Sequence, residues 1–229
     1  MSGEADDVEL FGHWICPYSI RVSFALAQRG IDHDVTVIPP SGVRPRDFEL
    51  PGEFLRQSPR REIPLLRIGS DYLVNSIPIL KWLEVRFTER SMLPGGPLDL
   101  EVARRMDWID STIYPAMAGV YYGHEPVRIE QSSMRLEEAL VEMENWLTGG
   151  DWLCGPQPSL AEAVIIPLYV RFEGLRHLGY TGTIPGRIEG HVERCRGLAG
   201  WSSVEWSDDQ MGEFVGRFSS YRRSMNSSS

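Results

Sequence analysis

His13-Trp14-Ile15-Cys16-Pro17-Tyr18-Ser19-Ile20-Arg21 is the stretch around which the rest of this chain is organised. Just before it, residues 8–11, Val-Glu-Leu-Phe, read as a short strand. Just after it a helix begins. Cys16 suits the N-cap, and Pro17 suits the first helical position, where its missing N–H costs nothing. Ile20, Phe24 and Ala27 recur at i, i+4 and i+7, and Gly30 ends the pattern. The thiol of Cys16 is thereby expected at a helix N-terminus, where free N–H groups and the positive end of the helix dipole favour thiolate. A buried, unreactive cysteine is the other reading of this stretch, because free cysteine is among the most buried residue types.

Outward from that helix, residues 32–38 read as a second strand. Strand, helix and strand in so few residues make a compact βαβ unit with parallel strands. Residues 39–59 are proline-rich and loop-like, with Phe48, Phe54 and Leu55 able to support a short helix. Residues 62–68 and 72–74 are two short apolar runs around the turn Gly69-Ser70-Asp71, which reads as a hairpin. Pro64 cannot donate to a ladder and marks a strand start or an edge. Asn75-Ser76 offers caps for a helix that carries Ile77, Ile79, Leu80 and Leu83, with Pro78 tolerated in its first turn. The order β-α-β, loop, β-β-α describes a small four-stranded mixed sheet flanked by helices.

The clearest linker is residues 88–97, which include Pro94-Gly95-Gly96-Pro97. It divides residues 5–87 from residues 98–224, where long helical patterns take over. A first helix is expected over 98–118, with Met106, Ile109, Ile113 and Met117 on one face and Pro115 bending or ending it. A second covers 128–147. Ser159-Leu160-Ala161-Glu162 is a capping box opening a very apolar helix over 163–178, which belongs in the centre of a bundle. Weaker helical patterns lie at 188–195 and 209–218, and residues 225–229 read as a polar, disordered tail.

Composition sets the outer limits. The 229 residues suffice for one large or two ordinary domains, and 42% hydrophobic with 24% charged residues is the make-up of a soluble globular protein. No apolar run approaches the ~20 residues of a membrane span, and residues 1–7 are acidic with no apolar core, so no secretory signal is expected. A formal charge of −9 argues against nucleic acid or an anionic membrane as partner. Three cysteines (16, 154 and 195) form no framework and suit a reducing cytoplasm. Ser19 stands where a C-x-x-C motif would carry its second thiol. No His and Cys set has metal-ligand spacing, so no metal is expected. Cys154 and Cys195 have no charged or capping context and read as structural. His13 is close enough to Cys16 in sequence to sense or tune it, and the five histidines form no catalytic group.

Taken together, these segments resemble the cytosolic glutathione transferases over essentially the whole length. Cys16-Pro17-Tyr18-Ser19 is similar to the active-site segment of the cysteine-type omega, dehydroascorbate-reductase and lambda groups. Ile63-Pro64 stands at the family's Val-Pro, whose proline is cis. Asn75-Ser76 stands at its Glu-Ser or Asp-Ser. Gly155 followed by Ser159-Leu160-Ala161-Glu162 matches its helix-capping motif, and Ser19-Ile20-Arg21-Val22 resembles the Ser-x-Arg-Val of the zeta and tau groups.

The resemblance implies a thioredoxin-like domain at 5–87 and an all-helical acceptor-substrate domain at 98–224. It implies glutathione as co-substrate, no metal, a small apolar or aromatic electrophile, and a homodimer in the cytoplasm. Cys16 becomes the nucleophile. Ile63, before Pro64, offers backbone groups with which an extended thiol peptide can pair. Ser76 at a helix start suits the γ-glutamyl carboxylate. Asn75 departs from the family: an amide accepts a hydrogen bond but brings no charge, which weakens the hold on glutathione or points to a different thiol. Arg61 or Arg60 can meet a glycyl carboxylate, or both are solvated loop residues. Trp14, Tyr18, Trp108, Tyr114, Tyr121 and Tyr122 are the candidates for the acceptor pocket, with bundle core as the alternative for those beyond residue 98.

Three functions follow. A cysteine nucleophile favours thiol transfer or reductive removal of glutathione from conjugates through a mixed disulfide. A second possibility is addition of glutathione to an epoxide, halide or activated alkene, or isomerisation. A third is a non-catalytic binding protein.

Overall fold

A computed structural model describes residues 7–93 and 99–227. The chain forms two compact units. The first comprises the described residues up to Ser91 together with Ala199–Val204, and the second takes Met92–Leu198 and Glu205 onward. The sequence reading assigned everything from 98 to 224 to one helical domain, whereas the 199–204 segment joins the first unit. There Gly200 N–H donates to Gln28 Oε1 at 2.9 Å, and a Cβ at Gly200 would stand 2.6 Å from the Phe24 carbonyl oxygen. Only glycine permits that approach. The expected linker residues Pro94-Gly95-Gly96-Pro97 and Leu98 lie outside the described residues.

In the first unit β1 (Val8–Gly12), β2 (Asp34–Val37), β3 (Leu65–Ile68) and β4 (Asp71–Val74) form one sheet in the order β2-β1-β3-β4. β1 pairs parallel with β2 and antiparallel with β3, with Leu10 opposite Leu66 and Phe11 opposite Leu65. These central residues are buried, Phe11 and Leu65 in one cluster with Ile38 and Phe54. Helix α1 (Pro17–Gln28) links β1 to β2, as parallel strands require a crossover. Helix α2 (Gly52–Gln57) is the short helix expected in the proline-rich loop. Helix α3 (Ser76–Arg86) packs on α1. The two are tied by a buried ion pair between Arg29 and Glu84, whose second oxygen accepts from Ser91 Oγ at 2.7 Å.

The second unit is all helix: α4 (Leu100–Trp108), α5 (Tyr114–Tyr122), α6 (Pro126–Glu144), α7 (Leu160–Tyr169), α8 (Phe172–His177), α9 (Gly186–Arg196) and α10 (Asp208–Asn226). The helix expected over 98–118 is α4 and α5 joined by a π-helical turn, Ile109–Ile113. Pro115 has no N–H to give and its ring needs room beside the preceding turn, so the chain widens there. Ser111 Oγ donates to the Asp107 carbonyl at 2.8 Å across the same turn. The apolar helix expected over 163–178 is likewise two helices. α7 closes at Val170 and Arg171, and the Arg171 side chain reaches back to the Pro167 carbonyl at 2.6 Å. All ten residues of α7 are buried, as its composition demanded.

The polar tail was read too early. α10 continues through Met225 and Asn226, opened by a second capping box between Ser207 and Gln210 and anchored by Arg222, which donates to the Leu178 carbonyl at 2.7 Å. Among the described residues no helix is long and apolar enough to cross a membrane.

Candidate active site

Cys16 is the N-cap of α1, with φ −81° and ψ 118°, and Pro17 follows at the first helical position. No side chain caps this helix. Both backbone groups of Cys16 are engaged: its N–H donates to the His13 carbonyl at 3.0 Å, and its carbonyl accepts from Ile20 N–H at 3.0 Å. The side chain is 5% exposed and packs in a cluster with Phe11, Ile38, Phe54, Ile63 and Leu65. Both readings of Cys16 from sequence are thus partly met: it stands at the helix N-terminus, and it is buried.

The Ile63–Pro64 peptide is cis, and Ile63 belongs to the Cys16 cluster. The fold therefore brings together two residues 47 positions apart. Asn75 is the N-cap of α3 with φ 68°, a left-handed conformation that asparagine and aspartate adopt more readily than most residues. Its side chain makes no capping bond. Ser76 is buried, and its Oγ accepts from Arg21 Nη1 at 3.3 Å. Arg21 is fully buried and its guanidinium lies 5.0 Å from the centre of the Tyr18 ring. The α1 and α3 N-termini are thus linked through Arg21. Sequence reasoning noted Arg21 only as part of a motif. Its spacing, five residues beyond the candidate nucleophile on the same helix, was the available signal.

Arg61 is exposed, in a left-handed conformation with φ 56°. Its carbonyl accepts from Arg44 Nη2 at 3.1 Å, and Arg44 Nε donates to the Pro39 carbonyl at 2.9 Å. Burial and the neighbouring Arg61 charge lower the Arg44 guanidinium below its ordinary pKa. Two cations are thus held near one another beside the Ile63–Pro64 segment, an arrangement that suits an anion. Arg44 was missed from sequence, since nothing in a proline-rich loop marks which arginine folds back.

The aromatic candidates separate. Trp14 packs against the His13 ring at 5.4 Å, and Tyr18 is 42% exposed. In the second unit Tyr114 is core, its hydroxyl donating to the Val164 carbonyl at 3.0 Å. Tyr121 is core too, packed on Phe214 and Phe218 of α10, while Tyr122 is partly exposed against Phe218 and Tyr221. Trp108 stacks edge-on against Trp146 at 4.8 Å. None of the four lines a cavity of about 380 Å³ in this unit that is bounded by Ser111, Thr112, Pro115, Arg135, Glu138 and Glu142 among others.

The other thiols differ from Cys16 in setting. Burial pushes Cys154 up to about 12, outweighing the hydrogen bond with Ser159 that lowers it. Burial, with the Glu162 charge adding to it, holds Cys195 well above the usual thiol range. Among the described residues no group of three or more His, Cys, Asp or Glu side chains is placed to hold a metal ion.

A four-stranded βαβ-ββα sheet followed by an all-helical unit is also the fold of solved glutathione transferases. Residues 15–86 match the model of the family described as glutathione S-transferase, N-terminal domain. Glutathione S-transferase U16 of Arabidopsis thaliana is 28% identical over 153 residues, covering 62% of this chain and 62% of that protein. Maleylacetoacetate isomerase of Mus musculus is 24% identical over 163 residues, covering 69% and 74%. Glutathionyl-hydroquinone reductase PcpF of Sphingobium chlorophenolicum is 24% identical over 205 residues, covering 76% and 65%. The chain thus spans less than two thirds of the length of the first and third relatives. Glutathione transferase Omega 3C of Trametes versicolor superposes with a TM-score of 0.79 at 17% identity, covering 93% of this chain and 90% of that one. Rice GST1 in complex with glutathione superposes with a TM-score of 0.80 at 16% identity, covering 97% and 99%. At these identities the likeness to solved structures is one of fold.

Proposed function

We propose that this protein is a glutathione-dependent thiol transferase or reductive deglutathionylase with Cys16 as nucleophile. The observation that carries the reading is the seat of Cys16, at an uncapped helix N-terminus and in one cluster with Ile63 before Pro64. The Cys16 thiolate attacks the sulfur of a glutathionyl conjugate or of glutathione disulfide. A new S–S bond forms to glutathione. The old S–C or S–S bond breaks, and its electron pair leaves on carbon or sulfur to be protonated. A second glutathione thiolate then attacks the mixed disulfide, releasing glutathione disulfide and returning the Cys16 thiolate. Ser19 cannot resolve the disulfide from within, so the second thiol comes from solution. Backbone groups of Ile63 pair with the tripeptide, Ser76 and the α3 N-terminus take its γ-glutamyl carboxylate, and Arg61 with Arg44 takes the glycyl carboxylate. Trp14 and Tyr18 flank the thiol on the acceptor side, and a small apolar or aromatic electrophile is the expected acceptor. The name of the relative PcpF, a glutathionyl-hydroquinone reductase, supports this chemistry. A cytoplasmic homodimer suits three free cysteines and the family.

Two other readings have their own support. Addition of glutathione to an electrophile, or isomerisation, is favoured by the likeness to maleylacetoacetate isomerase. A binding protein without catalysis is favoured by the burial of Cys16 and by the uncharged Asn75.

The test is intact mass after incubation with glutathione disulfide at pH 8, followed by peptide mapping. Wild type is expected to gain one reductant-sensitive glutathione at Cys16. Cys16→Ser is expected to gain none, since burial raises both remaining thiols, Cys154 and Cys195, above the ordinary thiol range. Folded wild type without an adduct would sink the mixed-disulfide mechanism. Glutathione conjugation that survives Cys16→Ser would establish the second reading.

A further inference from the structure

His13 carries two of the bonds that close the turn leading to Cys16. Its carbonyl accepts from Cys16 N–H at 3.0 Å, the i to i+3 bond of a β-turn over residues 13–16. Its ring atom Nδ1 accepts from Ile15 N–H at 3.1 Å. Position i of such a turn is where Asp, Asn and Ser are favoured, because their side chains accept from the N–H two residues on. His13 makes the same i to i+2 bond with an imidazole. An acceptor at Nδ1 means a neutral ring with its proton on Nε2, since imidazolium has no lone pair to offer. The ring is further held against Trp14, with 5.4 Å between centres.

The turn matters because of what it fixes. With Cys16 N–H bonded to His13 and Cys16 carbonyl bonded to Ile20, the backbone that carries the thiol is held from both sides. The His13 side chain secures the one peptide between, at the buried residue Ile15. We propose that His13 is a positioning residue for Cys16, acting as a turn-closing hydrogen-bond acceptor and not as a base or ion-pair partner of the thiol. The proposal rests on the reading of Cys16 as the nucleophile.

The distinction is testable by substitution. Asparagine at position 13 can still accept from Ile15 N–H through the same turn geometry, though it has no titratable ring. Glutamine has the same amide, but its extra methylene takes the carbonyl out of that geometry. The readouts are the site-resolved rate of Cys16 alkylation by iodoacetamide and the rate of adduct formation with glutathione disulfide. Both would be taken for wild type, His13→Asn, His13→Gln and His13→Ala.

His13→Asn is expected to stay within about twofold of wild type, and His13→Gln and His13→Ala to fall about tenfold, the scale of a misplaced reacting group. Asparagine as slow as glutamine would overturn the proposal, because then the imidazole itself is needed. Alanine as fast as wild type would overturn it equally. If His13→Ala does not fold, the asparagine and glutamine pair decides alone. Dependence of alkylation on residue 13, with no glutathione adduct on any variant, would leave the positioning role standing and sink the thiol-transfer reading. Adducts at equal rates on all four proteins would do the reverse.

Discussion

The N-termini of α1 and α7 answer the same physical problem in opposite ways. Every helix begins with backbone N–H groups that have no partner within it. At α7 the chain supplies the partners itself. Ser159 Oγ accepts from Ala161 N–H at 3.1 Å, and Glu162 Oε2 accepts from Ser159 N–H at 2.6 Å and from Ser159 Oγ at 2.8 Å. The other oxygen of Glu162 accepts from Leu153 N–H at 2.6 Å and lies 3.3 Å from His191 Nε2, while His191 Nδ1 and the Tyr169 hydroxyl are 2.7 Å apart. At α1 nothing of the kind occurs: Cys16 makes no capping bond, and Pro17 removes one donor. α3 is also left without a side-chain cap at Asn75. The second unit closes the α7 terminus with its own side chains, whereas the first unit leaves the α1 and α3 termini without a side-chain cap.

The largest effect is expected where the terminus is fully spent. Glu162→Ala leaves several buried donors without their acceptor, and the loss should be about 3–5 kcal/mol, read as the fall in urea unfolding free energy. A loss below about 1 kcal/mol would mean that water or rearrangement serves these donors as well as the carboxylate does, and the contrast with α1 would disappear. Next comes the open terminus of α3. Asn75→Asp keeps a residue type at home in the left-handed region and adds the missing charge. Glutathione affinity by titration calorimetry should rise about fivefold, the equivalent of ~1 kcal/mol. Unchanged affinity would move the γ-glutamyl group away from this helix. The smallest effect on stability belongs to α1. Cys16→Ser trades a buried thiol for a better N-cap, and the unfolding free energy should stay within about 1 kcal/mol of wild type. If Cys16→Ser is instead as damaging as Glu162→Ala, Cys16 is a core residue first and the α1 terminus is not an open one.

Much of this was legible in the residues because it is local. A capping box needs only Ser159 and Glu162 three apart, and it was read and found. So were the α1 start at Cys16 and Pro17, and the turn at Gly69. The misses were non-local. Nothing near residue 200 announces that Gly200 will lie against Phe24, a contact set by two segments folding onto each other. The break after Tyr169 lies inside an unbroken apolar run and leaves no mark in composition. The Ser207 and Gln210 box had its signature in plain view, and the expected helix began close to it, yet its length to Asn226 depends on Arg222 reaching the Leu178 carbonyl.

The candidate site divides along the same line. Sequence alone determined that Cys16 stands at a helix start, that Pro64 opens a strand and that Ser76 opens another helix, because each depends on neighbours within a few residues. Tertiary structure decided that Cys16 and Ile63 share one cluster, that Arg21 links the α1 and α3 termini, that Arg44 folds back onto Arg61 and that Tyr114 and Tyr121 are core. Those relations are made by side chains meeting across dozens of residues, and which ones meet is a matter of packing that no local pattern encodes.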